Sequence, residues 1–150
     1  MRRSLHGLAP LLALSWLLAA PAARAEQYRS FGDYEVHYNA VRSDFIDAGA
    51  AAQHGLTRSA TRGLLNIAVL RRAADGGQRH VEAAIDVTVR GRDGEPRPVG
   101  MRPVREPGVL YYIGEFRIAG EDTYRFEVEV RPAESSERFR IRFGQALLAE

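Results

Sequence analysis

Apolar and polar residues alternate with period two along most of this chain. In residues 33–41, Tyr34, Val36, Tyr38 and Ala40 fall on one side, and Asp33, Glu35, His37 and Asn39 on the other. Residues 80–90 set Val81, Ala83, Ile85, Val87 and Val89 against His80, Glu82, Asp86, Thr88 and Arg90. Such a pattern belongs to a strand that buries one face and wets the other. Residues 63–72 differ, because Leu64, Ala68 and Leu70 oppose Leu65, Ile67 and Val69. That strand is expected to be covered on both faces. A weaker strand spans 99–105, and Pro103 assigns it to a sheet edge.

The densest apolar block is 109–131, read as strands 109–118 and 123–131 around a turn at 119–122. Tyr112, Phe116 and Ile118 share a face, and Gly114 lets a neighbour come close. A last strand, 138–147, turns Phe139, Ile141 and Phe143 inward. If it pairs antiparallel with 123–131, a common core face requires Val130 opposite Phe139 and Val128 opposite Ile141. Glu129 then meets Arg140, Glu127 meets Arg142, and Arg131 faces Arg138. The longest connection is 42–62. Within it Asp47 is a natural N-cap for a short helix over 48–54, stopped by Gly55. About seven strands and one short helix predict an all-β fold, an antiparallel two-sheet sandwich of immunoglobulin-like type.

The first 25 residues stand apart from this pattern. Arg2 and Arg3 precede an apolar run over 8–20, and Ala23-Arg24-Ala25 supplies the small residues of a cleavage site. The run is too short, and too interrupted by Pro10 and Ser15, for a membrane anchor. The reading is a signal peptide at 1–25 and a single domain at 26–150, released to the periplasm with no stable membrane insertion after cleavage. Export alters the charge. All 21 basic residues are arginine. Losing Arg2, Arg3 and Arg24 leaves 18 against 19 acidic residues, a net charge of −1. Nucleic acid is therefore not an expected partner. There is no cysteine, hence no disulfide framework and no thiol chemistry.

Four blocks resemble an uncharacterised bacterial family, the domain of unknown function DUF4426. They are FGDYEVHYNAVRSDF (31–45), GLTRSATRGLLNIAVL (55–70), YYIGEFRI (111–118) and TYRFEVEV (123–130). The resemblance implies a small exported protein of Gram-negative bacteria. It implies no activity and no catalytic residues.

Chemistry is sparse. No G-x-S-x-G elbow occurs, and the serines beyond the leader sit in polar connections. His37, His54 and His80 have no ligand spacing among themselves, and Met101 is the only methionine outside the leader. No cofactor is expected. The candidate ligand-binding residues are Arg58, Ser59 and Arg62 in the long connection, with His37 and Asn39 on the polar side of the first strand. Two guanidiniums and a hydroxyl suit a carboxylate or phosphate, or the arginines pin the loop onto local acids such as Asp44 and Asp47. The functional expectation is a binding or accessory module that contacts an envelope protein or a small anionic ligand. The alternative is a hydrolase or metal-binding protein using outward histidines and carboxylates.

Overall fold

Ten strands, rather than the seven expected, fold into two antiparallel sheets in the computed structural model, which describes residues 27–148. The inferred leader lies outside the described residues. The strands are β1 (Gln27–Phe31), β2 (Tyr34–Arg42), β3 (Arg62–Arg72), β4 (Gln78–His80), β5 (Ala83–Arg90), β6 (Pro96–Val99), β7 (Arg102–Glu106), β8 (Val109–Arg117), β9 (Asp122–Pro132) and β10 (Phe139–Leu147). The first sheet runs β1-β2-β3-β8-β7, with β4 also paired to β3; the second runs β10-β9-β5-β6.

Each of the three additional strands has a physical origin. The 80–90 segment changes sheets at Val81-Glu82: Val81 N–H still donates to the Val69 carbonyl (2.9 Å), and Ala83 N–H is taken by the Tyr112 hydroxyl (2.9 Å). The 99–105 segment divides at Gly100-Met101, leaving β6 as one edge of the second sheet and β7 as one edge of the first. Pro103 does lie in an edge strand. β1 carries no buried side chain, so no alternation announced it.

Between the sheets Val36, Leu65, Ile67, Val69 and Val130 are fully buried, with Phe126 almost so. Aromatic rings bind the layers: Phe116 meets Phe126 edge-on at 5.1 Å, and Phe126 stacks on Phe143 at 4.8 Å. A Cβ at Gly114 would lie 2.7 Å from Val99 Cγ1 and 2.9 Å from the Gly100 carbonyl, so the glycine admits the chain crossing from β6 to β7. The register of β9 and β10 is the expected one, with Val130 opposite Phe139 and Glu129 opposite Arg140. The like charges of Arg131 and Arg138 are relieved by a shared acid rather than left bare. Arg131 turns to Asp86 (2.7 Å) and Glu129 (2.9 Å), and Arg138 approaches the same glutamate at 3.8 Å.

A second, smaller apolar cluster covers the outer side of the first sheet. Leu64, Val104 and Ile113 are buried there beneath Ile46 and Leu56 of the long connection. This confirms the two-sided burial expected of β3. The helix α1 (Ala48–Gln53) opens as anticipated: Asp47 Oδ1 accepts from the N–H groups of Gly49 (2.9 Å) and Ala50 (3.1 Å). Gly55, at φ +65°, ends it in the left-handed region.

Beyond β9, Glu134 ties the layers together, accepting from Arg79 of β4 (2.7 and 2.8 Å) and Arg71 of β3 (2.8 Å). Arg79 foremost, then Arg71, lowers its pKa to about 2. The sign follows: this clamp stabilises the fold above the ordinary value of 4.5 and is lost as pH falls toward 2.

Candidate functional site

The long connection is organised by one buried hydroxyl. Ser43, 1% exposed, accepts from Ser59 N–H (2.9 Å) through Oγ, which donates to the Thr57 carbonyl at 2.8 Å. Around this hub the candidate residues part company. Arg58 Nη2 donates to the Asp44 carbonyl (2.8 Å). The Asp44 carboxylate is gripped instead by Arg42, through Nε at 3.1 Å and Nη2 at 2.6 Å, which holds its pKa below the usual carboxylate range. Ser59 Oγ lies 2.9 Å from Thr61 Oγ1 and accepts from Thr61 N–H (3.1 Å). Asp47 is occupied as the helix cap.

His37 and Asn39 sit elsewhere, on the outer side of β2. Asn39 is exposed. His37 Nε2 lies 3.1 Å from Glu35 Oε2, and its ring stacks on Tyr28 at 5.2 Å. His54, just past α1, meets the Tyr111 hydroxyl at 3.3 Å and Glu106 at 3.7 Å. Burial, then Glu106, raises the Tyr111 pKa. His80 Nδ1 is 2.8 Å from the Leu110 carbonyl. Each histidine thus has its own setting, and among the described residues no three of His, Asp and Glu gather in a metal-holding group.

Arg62 is the candidate that opens onto a concavity, and it has a neighbour that sequence reasoning missed. It stands first in β3, directly opposite Arg117 at the end of β8. The next pair inward is Gly63 and Phe116. With no side chain on Gly63, the Phe116 ring lies across β3: a Cβ there would be 2.1 Å from Cζ. The pair therefore seats both arginines on the solvent side of a tightly packed strand end. Thr61 carbonyl accepts from Ile118 N–H (2.9 Å), closing the end of the ladder. Beyond it the Tyr124 hydroxyl accepts from Ala119 N–H (2.8 Å) and donates to the Gly120 carbonyl (3.0 Å), shaping the turn into a wall.

The resulting concavity, about 590 Å³, is lined by Thr61, Arg62, Glu115, Arg117, Ala119 and Gly120, among others. Like charges facing each other across a strand pair cost about 0.2–1 kcal/mol. Among the described residues only Glu115 offsets this, reaching Arg62 at 3.8 Å. Arg117 also borders a second concavity, about 560 Å³, with Arg92 and Arg97. There Arg97 is paired with Asp93, which raises its pKa, and Arg92 is 3.9 Å from Asp122. Among the described residues Arg117 has no carboxylate within ion-pair distance. No sequence pattern marks it, because only the register of β3 on β8 brings it to Arg62.

Comparison with known proteins agrees with this architecture. The family model described as Domain of unknown function (DUF4426) matches residues 28–150. A crystal structure of a DUF4426 family protein from Pseudomonas aeruginosa PAO1 is similar at TM-score 0.70 and 28% identity, over 83% of this chain and 96% of that one. FetP of uropathogenic Escherichia coli strain F11, expressed in the periplasm of E. coli, is similar at TM-score 0.59 and 14% identity, over 82% and 93% of the two chains. A copper-bound variant of FetP gives TM-score 0.58 and 15% identity, over 84% and 97%. At that identity the likeness to FetP is one of fold. No curated protein matches this sequence.

Proposed function

The chain belongs to the DUF4426 family, and we propose that it serves as a periplasmic binding module that holds a small oxyanion between Arg62 and Arg117. One observation carries this reading. Arg62 and Arg117 are opposite each other in register and line one concavity, and among the described residues only Arg62 has a carboxylate within ion-pair distance. An anion bridging the two guanidiniums removes the repulsion and gains charge-assisted hydrogen bonds of the bidentate kind. Phosphate and carboxylate groups share that chemistry. Release to the periplasm is the expectation drawn from the leader pattern in residues 1–25. The periplasmic expression and the copper belong to FetP.

The site is shallow, and Glu115 competes for Arg62, so affinity should respond to both residues in opposite directions. Calorimetric titration with inorganic phosphate, repeated with citrate, checks this. Arg117→Gln should weaken binding by roughly tenfold or more, the worth of one charge-assisted hydrogen bond. Glu115→Gln should strengthen it, with the melting temperature of both variants close to that of the parent protein. Equal affinities across the three proteins would place the anion elsewhere.

A further inference from the structure

We infer that the open edge of β10 is a docking site for an extended strand of another protein that carries acidic residues at alternate positions. Apart from β4, which has 3 residues and pairs only with β3, the two sheets have four edge strands among the described residues: β1, β7, β6 and β10. Three are poor templates. β6 holds Pro96 and Pro98, β7 holds Pro103, and β1 is only 5 residues long; proline lacks the donor that a ladder needs. β10 runs 9 residues without proline and pairs only with β9. Among the described residues no backbone hydrogen bond from another element covers its free side.

The side chains of this edge specify what fits. Arg140 and Arg142, with Arg138 just before the strand, form a basic column on the solvent face; their side chains are 79%, 82% and 64% exposed. Inside this column Glu129 and Glu127 approach Arg140 and Arg142 most closely through Nε, at 3.3 and 3.9 Å. Each guanidinium also carries terminal N–H donors, and at this exposure they are available to a further strand. On the opposite face Phe143 is half-buried at the rim, packed on Phe126 and Tyr38. An incoming strand with acids toward the arginines and apolar residues toward Phe143 extends both the charge ladder and the core. Main-chain bonds supply affinity in this mode of recognition and alternate side chains supply specificity.

A second copy of this chain is the wrong occupant. Two β10 edges related by a twofold axis would set arginine column against arginine column, and like charges directly opposite are unfavourable. The basic column thus blocks self-pairing at an otherwise exposed edge, while an acidic strand turns the same charges into attraction.

The test uses two synthetic nine-residue peptides of alternating valine and a charged residue, glutamate in one and lysine in the other. Backbone amide NMR and hydrogen exchange on the mature protein report where each binds. The glutamate peptide should shift and protect β10 amides, with salt-sensitive affinity about tenfold or more above that of the lysine peptide. Replacing both Arg140 and Arg142 with glutamine should remove that preference; if the double variant melts early, the two peptides on the unmodified protein still decide the matter. Equal binding of both peptides, no protection at β10, or a dimer protected along β10 without peptide would overturn the inference.

Discussion

Phe126→Ala should destabilise the protein by about 3–5 kcal/mol, the usual range for emptying a buried phenylalanine site. The side chain is 1% exposed and central to the aromatic chain that joins the sheets, in contact with Phe116 on one side and Phe143 on the other. Its strand, β9, lies between β10 and β5, so the backbone cannot shift inward to fill the gap without moving two partners. Phe126→Leu, which retains most of the volume, should cost less than about 1.5 kcal/mol. Urea unfolding of the three proteins measures this, with a lower midpoint and an unchanged slope expected for the alanine variant. A loss near 1 kcal/mol would mean that the core collapses around the site and that the sheets are not held by this ring.

Gly63→Ala should cost about 3 kcal/mol, at the upper end of overpacking effects, although alanine ordinarily suits a strand better than glycine. The added methyl would lie 2.1, 2.4 and 2.6 Å from three carbons of the Phe116 ring. The ring must leave its place beside Tyr124 and Phe126 (6.0 and 5.1 Å), or the strands must part. Either adjustment moves the neighbouring Arg62 and Arg117, so phosphate binding should weaken together with stability. Phe116→Leu made in the Gly63→Ala background should restore part of the loss, because the smaller side chain vacates the space. The double-mutant cycle reads that coupling directly. Additive losses would show that the ring and the glycine do not compete for one space.

How much of this was legible in the sequence depended on whether the signal was local. The Asp47 cap, the Gly55 stop and the β9–β10 register each follow from a few adjacent residues, and each is present. Gly114 read correctly as a place of close approach. The sheet switch near Val81-Glu82 was hidden because the same alternation continues through it: Val81 and Val87 both face the core, on either side of the corner. β1 was hidden for the opposite reason, having no apolar face to reveal.

The site divides in the same way. The long loop pointed to Arg62, which does open onto a concavity. Arg58 holds the Asp44 carbonyl and the Ser59 hydroxyl meets Thr61, while the Ser59 N–H is taken by Ser43, whose buried hydroxyl resembles any other serine in a polar stretch. Arg117 belongs to a strand that reads as core, and it reaches Arg62 only through long-range pairing.

The most direct measurement is a crystal structure of residues 26–150 grown with inorganic phosphate. The account predicts one phosphate bridging the guanidiniums of Arg62 and Arg117, with the Glu115 carboxylate turned away from Arg62. A structure in which those two arginines remain empty while phosphate binds elsewhere, or in which Arg117 is paired with a carboxylate of its own chain, would contradict it.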